Sequence, residues 1–385
     1  KAVARALYGK RLEVSVSRSE KYAACAYHHF LEYGLSLKER KELGFERVDM
    51  GNVFHDVLDT FSRKLEVSEY TWFDFPTEFA SVVVADAMKQ LATQYGAGVL
   101  YSSARNEYSI KRMERVLLRT VETLREQLNK GDFVPRAHEM SFKFIEDIDA
   151  IDIKLSGEES MRLQGRIDRV DLAEEDDQVF VKIIDYKSGE KQFDLAALYY
   201  GLQLQLVVYM NAAVEMERKK HPDKEVVPAA LLYYHVDDPM VEGSQEMSPE
   251  EINDMLRKEL RMTGVVNSRE DIIDKLDKTL VTKSEVIPVE RKKDGSFSAR
   301  SGIMTGEELQ LVSDYVNHKI RTLGTEILAG QKEVNPYEEG KKNACEYCAY
   351  KKVCGFDTSL PGYEKRKLES LDTEVIKAKM KEELQ

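Results

Sequence analysis

Residues 163–187 read LQGRIDRVDLAEEDDQVFVKIIDYK, and the way this stretch pairs with itself decides the fold. The first run, from Met161 to Leu172, alternates Leu163, Gly165 and Ile167 against charged neighbours. The second, from Gln178 to Lys187, is rich in Val, Ile, Phe and Tyr. Residues 174–177 between them are acidic and suit a turn. A hairpin symmetric about the bond between Asp176 and Asp177 sets residue 168 opposite residue 185. Directly opposed residues of an antiparallel pair have Cβ atoms roughly 4.5–5.5 Å apart. Lys187 follows Asp185 by two residues and points to the same face. Asp168, Asp185 and Lys187 are therefore expected as a cluster. Carboxylates this close repel, and a hard divalent cation with oxygen ligands, such as Mg²⁺, relieves the repulsion. The competing reading is a hairpin whose charges simply face water, so the rest of the chain has to decide.

The chain has 385 residues, 42% hydrophobic and 33% charged, which is ample for a buried core and for two or three domains. Its net charge of −12 argues against a protein that coats nucleic acid without selectivity, where a basic face is expected. It leaves room for an acidic metal site with local basic flanks. No uninterrupted apolar run approaches the roughly 20 residues of a membrane span, so no membrane partner is expected. No secretory signal opens the chain, which starts at Lys1 and not at Met; a piece of a longer polypeptide is expected.

The cysteines are Cys25, Cys345, Cys348 and Cys354. A secreted disulfide framework would spread them more evenly, so a reducing, cytoplasmic setting is expected. The C-x2-C-x5-C spacing plus one distant thiol suits Zn²⁺ or an iron–sulfur cluster, and spacing does not choose between them. Either would close a loop of more than 300 residues. Loss of the metal would then loosen the whole fold.

Helices are expected over 15–35, with Ser17 or Ser19 as N-cap and Gly34 as C-cap, and over 47–66, whose stripe is Val53, Val57, Leu58, Phe61 and Leu65. Two more are expected over 78–95 and 105–129, joined by QYGAGVLYSS and ended by Pro135. Residues 137–155 alternate as strands leading into the hairpin. Residues 195–217 read as one helix and 226–235 as a buried strand. The organisation expected is a helical part (1–135), a core (136–235), a helical insertion (236–330), and the cysteine cluster with a polar tail (331–385). His55 lies one turn after Gly51, and a small residue there lets a ligand approach the imidazole. Taken alone, such a histidine is more commonly bonded to a neighbour. Gln205 and Tyr209 share a helix face at i, i+4. Glu139 sits on the strand before the hairpin.

In this order, GNVFH (51–55), Glu139, GRIDRVD (165–171), IIDYKSG (183–189) and QLVVY (205–209) resemble the RecB-type branch of the PD-(D/E)xK nucleases. Cys25 and CEYCAYKKVCGFD (345–357) are similar to its iron-staple subgroup, and most of all to AddB-type nuclease domains of helicase–nucleases. The resemblance implies a mixed α/β, restriction-endonuclease-like fold, a central mixed sheet flanked by helices. It implies that His55, Asp168 and Asp185 bind Mg²⁺ or Mn²⁺, with the Tyr186 carbonyl as a further ligand. Lys187 would orient or activate the attacking water. Gln205 and Tyr209 would support the site or contact DNA; Glu139 is either a carboxylate behind the site or a surface residue. The four cysteines would hold a [4Fe–4S] cluster. The implied activity is a deoxyribonuclease, an exonuclease on single-stranded DNA or unwound ends in double-strand break repair, with an AddA-type helicase–nuclease subunit as partner. Arg166, Arg169, Lys341–Lys342 and Lys351–Lys352 are candidates to neutralise flanking phosphates. A stand-alone nuclease of the CRISPR-adaptation type is the nearest rival, and segment 236–330 tells against it. A non-cleaving DNA-end scaffold is opposed by the intact Asp168, Asp185 and Lys187. An electron carrier is opposed by cysteines drawn from both ends of the chain.

Overall fold

A computed structural model describes residues 2–39, 47–94, 103–142, 148–243 and 247–385. In chain order its first elements are α1 (Ala2–Tyr8), β1 (Arg11–Ser15), α2 (Val16–Ala24), α3 (Ala26–His29) and a π-helical turn over Phe30–Gly34. Then come α4 (Arg47–Glu66), α5 (Thr77–Gln94), α6 (Ala104–Asn129), β2 (Val134–Ser141), β3 (Asp152–Lys154), β4 (Ser160–Gln164), β5 (Arg166–Glu174) and β6 (Gln178–Lys187). The middle continues with α7 (Leu195–Tyr199), α8 (Gln205–Lys220), β7 (Glu225–His235), α9 (Pro249–Glu259), β8 (Thr263–Asn267), α10 (Glu270–Leu276), β9 (Ile303–Met304) and α11 (Gly306–Ala329). The last are β10 (Tyr337–Glu339), β11 (Lys342–Asn343), α12 (Lys351–Cys354), β12 (Arg366–Lys367) and α13 (Thr373–Glu383).

Six strands form the central mixed sheet, in the order β2-β5-β6-β7-β8-β9. β6 is buried along nearly its whole length, as its apolar run requires of a strand covered on both faces. Its side chains alternate between two cores. Val179, Val181 and Ile183 join one with Leu206, Met210 and Tyr315 from α8 and α11. Phe180, Ile184 and Tyr186 join the other with Phe61, Phe75 and Leu117 from the α4–α6 side. β7 runs parallel to β6, so the chain must cross over between them, and α7 and α8 make that crossover.

The hairpin keeps the register that its symmetry predicts: Arg169 pairs with Ile184 and Glu174 with Val179, which sets Asp168 against Asp185. The run 161–172 is two strands, however. β4 belongs to a small sheet with β1 and β3, and the chain changes sheets at Gly165. A Cβ on Gly165 would come into ordinary contact with the rings of Phe142 and Tyr209. The mixed, helix-flanked sheet expected from the sequence is the one observed.

Other expectations are corrected. The helix over 15–35 starts earlier, capped by Ser15, which accepts from Arg18 N–H. It breaks at Cys25, whose backbone is extended. The helix before the central sheet ends at Asn129, and Pro135 instead stands in edge strand β2 beside a register shift. An edge is where a residue without an N–H does least harm. The helix over 195–217 is interrupted between Tyr199 and Gln205, where Gly201 has φ +81°. Segment 236–330 is not wholly helical, because β8 and β9 extend the central sheet. The tail does form a helix, α13, but Ile376 and Met380 are buried against the core. The linker QYGAGVLYSS lies, apart from its ends, outside the described residues.

Gly264 permits the β7–β8 pairing. It has φ +132°, and a Cβ there would overlap the Leu231 carbonyl. Gly264→Ala should cost roughly 1–3 kcal/mol through overpacking, read as a lower urea midpoint with an unchanged slope.

Candidate functional site

Three carboxylates stand abreast across three strands. His138 pairs with Arg169 and Met140 with Ile167, so Glu139 on β2 faces Asp168 on β5. Asp168 in turn faces Asp185 on β6, and Asp185 pairs with Tyr233 on β7. Neighbouring strands lie about 4.7–4.9 Å apart, so the row packs its acidic groups closely. Glu139 takes a positive φ of 48°, a costly conformation for a residue with a side chain. From α4, His55 Nδ1 reaches Glu139 Oε1 and Asp168 Oδ1, each at 3.4 Å. Gly51, one turn earlier, lies against Ser188, just past β6, where a Cβ would meet its hydroxyl at 3.4 Å.

The electrostatics follow from this crowding. Burial pushes the Asp185 carboxyl up to about 7, with the Asp168 charge adding to it and Lys187 opposing. Glu139 is likewise raised, first by burial. Burial pulls His55 down, but the Asp168 and Glu139 carboxylates outweigh it and lift the imidazole to about 10. His55 Nδ1 and Asp185 Oδ1 are buried without a well-formed hydrogen bond. Ligand-type atoms of His55, Glu139 and Asp168 lie within 4.8 Å of one another. One imidazole nitrogen among hard oxygen donors fits a divalent cation. Tyr186 N–H donates to Asp168 Oδ2 at 2.7 Å, and Lys187 C=O turns the other way, accepting from Val236 N–H at 2.9 Å. A strand residue's N–H and C=O point to the same side, so the Tyr186 carbonyl also faces Asp168.

Lys187 forms an ion pair with Asp185 and donates to Gln205 Oε1 at 3.2 Å. Gln205 Nε2 in turn meets Tyr209 Oη at 2.8 Å. Lys187, Gln205 and Tyr209 are linked to Asp185 by these contacts. Of the expected ligands, His55 and Asp168 come together with Glu139, which is nearer the centre than expected, and Asp185 stands outside that group of three. Two residues were not anticipated. Glu20 on α2 accepts from the Leu204 and Gln205 N–H groups at 2.6 and 3.2 Å, and Lys191 acts electrostatically on Asp185. The Glu20 contacts span 184 and 185 residues, so no local spacing announces them; Lys191 is brought back by the turn after β6. Arg166 contacts Glu139. Arg169 is no phosphate ligand: it is fully buried, bonds Asp171 at 2.6 and 3.0 Å and lies over Trp72.

The four cysteines line one cavity of about 420 Å³, with Cys25 brought from the α2–α3 break and the others from the far end of the chain. Burial raises the Cys345 thiol, and Cys25, Cys348 and Cys354 add to the effect. Cys348 Sγ lies 3.5 Å from His28 Nδ1, whose other nitrogen is 3.0 Å from Glu32. Among the described residues no three of the sulfurs lie within 4.8 Å of one another. A tetrahedral zinc thiolate site with Zn–S near 2.3 Å would draw them to about 3.8 Å. No helix among the described residues is long and apolar enough to cross a membrane.

A family model described as the PD-(D/E)XK nuclease superfamily matches residues 13–355. The chain is 40% identical, over 98% of its length, to the B-type subunit of an ATP-dependent helicase/deoxyribonuclease from Lachnoclostridium phytofermentans, covering 32% of that protein. A protein of the same name from Caldanaerobacter subterraneus is 38% identical over 94% of the chain and 31% of the relative. One from Alkaliphilus metalliredigens is 35% identical over 99% and 33%. The chain thus spans about a third of the length of these relatives.

The crowded row makes a prediction about stability. Asp185→Asn removes a buried charge that opposes folding, so in chelator its melting temperature should equal or exceed that of the wild type. Added Mn²⁺ should raise the wild-type midpoint and leave that of the variant in place, because only a site that binds the ion gains stability from it.

Proposed function

Because the chain belongs to the PD-(D/E)XK nuclease superfamily, we propose that it is the nuclease part of a larger helicase–nuclease polypeptide and hydrolyses DNA phosphodiester bonds with Mg²⁺ or Mn²⁺. The observation that carries this reading is the row Glu139–Asp168–Asp185 closed by His55 at one end and Lys187 at the other. His55, Asp168 and Asp185 would hold the ion together with the Tyr186 carbonyl. Glu139 lies within 4.8 Å of the His55 and Asp168 ligand atoms, a group that Asp185 stands outside, and would be a further ligand. When bound, the ion would polarise a phosphoryl oxygen and lower the pKa of its water. Lys187, kept in place by Asp185 and Gln205, sets a fixed positive charge where the transition state gathers negative charge. Tyr209 steadies Gln205. Arg166, half exposed beside Glu139, is placed to neutralise a flanking phosphate.

The relatives are named as B subunits of an ATP-dependent helicase/deoxyribonuclease, which supports DNA as substrate and a companion subunit. The finer reading proposed from the motif resemblance is an exonuclease on single-stranded DNA or unwound ends, in cytoplasmic double-strand break repair, with an AddA-type helicase–nuclease as its partner. The stapling group in this reading is a [4Fe–4S] cluster on Cys25, Cys345, Cys348 and Cys354.

Labelled single-stranded DNA with Mg²⁺ or Mn²⁺ tests the activity. The wild type should cut, chelator should stop it, and Asp185→Ala should slow it by at least about 10²-fold, as losing transition-state stabilisation does. Equal, negligible cutting by both proteins would overturn the reading. For the cluster, anaerobically purified protein should be brown and hold iron and sulfide in equal amounts. Cys25→Ser should lose the colour and melt at a lower temperature throughout, since the cross-link spans the fold. Zinc without iron would rule the cluster out.

A further inference from the structure

Beyond β6 the chain turns through Ser188 and Gly189 and brings a second lysine back to the site. The Lys191 backbone is anchored on both sides: its N–H donates to His235 Nε2 at 2.9 Å and its carbonyl accepts from Thr263 Oγ1 at 3.0 Å. Its side chain is only partly exposed and lies 5.6 Å from the centre of the Tyr233 ring. The Lys187 ammonium lies 6.0 Å from the same ring. Tyr233 is the residue that continues the acidic row on β7, and its hydroxyl is buried without a hydrogen-bond partner.

The two lysines differ in what they hold. Lys187 is engaged by Asp185 and Gln205. Among the described residues the Lys191 ammonium has no hydrogen-bond acceptor; its interactions are the ring and the charges of Glu20, Asp185 and Lys187. Glu20 commits Oε1 to two backbone N–H groups at the start of α8. Once Asp185 serves a metal ion, Glu20 is the one carboxylate left to face both ammonium groups. Two cations beside one ring with a single counter-charge leave a place for an anion.

We propose that Lys191 binds a phosphate of the DNA strand, next to the position that Lys187 serves. This rests on the nuclease reading above. The Lys191 backbone is anchored and its ammonium is a donor not otherwise engaged among the described residues, so it is free to take a phosphate oxygen.

A set of single-stranded oligonucleotides, each with one phosphate replaced by an uncharged methylphosphonate, tests this through kcat/KM. At one position near the cut the wild type should lose about tenfold, the worth of a charged hydrogen bond. Lys191→Met, which keeps the stem of the side chain, should be about tenfold slower on the unmodified strand and lose nothing more at that position. Lys191→Arg should restore most of the rate and the position-specific penalty. If Lys191→Met shows the same penalty as the wild type at every position, Lys191 touches no phosphate and the proposal is overturned while the nuclease reading stands. If the wild type cuts none of the strands, the nuclease reading itself is overturned.

Discussion

Like-charge crowding is the constraint on which the rest of the structure depends. Glu139, Asp168 and Asp185 sit side by side in the pleat of one sheet, largely out of water. The Asp168 charge raises the proton affinity of Glu139 and Asp185, and the positive φ at Glu139 adds of order 1–3 kcal/mol of backbone strain. His55, Arg166 and Lys187 recover part of the repulsion within the site. The rest is offset by the two hydrophobic cores that clamp β5 and β6 from either face, so the packing exists in part to hold together groups that repel.

The face behind the row helps to keep it in register. Arg169, Asp171 and Lys182 form a buried ionic group between Trp72 and Phe133. Burial alone would raise the Asp171 carboxyl, but Arg169 and Lys182 hold it down to about 2. Asp171 pairs with Lys182 across the same two strands that carry Asp168 and Asp185. A slip by one residue would turn these charges to the wrong face and leave them buried unpaired. The ionic group disfavours misregister more than it adds stability.

Much of this was legible in the chain because it is local. The hairpin announces itself by its period of two and its acidic turn, and its symmetry alone sets Asp168 against Asp185. The stripe Val53, Val57, Leu58, Phe61 and Leu65 marks α4 correctly, and all five are buried. What escaped is short or distant. β8 and β9 have five and two residues between charged helices, too little for periodicity to show. Pro135 reads as a helix stop until an edge strand is known to need no donor at that place. Glu20 and Lys191 belong to the site only through contacts that bridge α2, the turn after β6 and the start of α8. His55 is ambiguous on its helix, and it was the ordered set of motifs, not its own surroundings, that pointed to it.

The cavity shared by Cys25 and the three late cysteines also has a consequence for how the protein is made. One wall comes from residue 25 and the other from residues 345–354, so about 320 residues of chain separate them. At 5–20 residues per second of synthesis, the first thiol waits roughly 16 to 64 s for its companions to be translated. The central hairpin and its carboxylates emerge well inside that interval. Biogenesis therefore has a fixed order: the strands of the acidic row emerge first, and the sulfur-lined chamber can close only after they do.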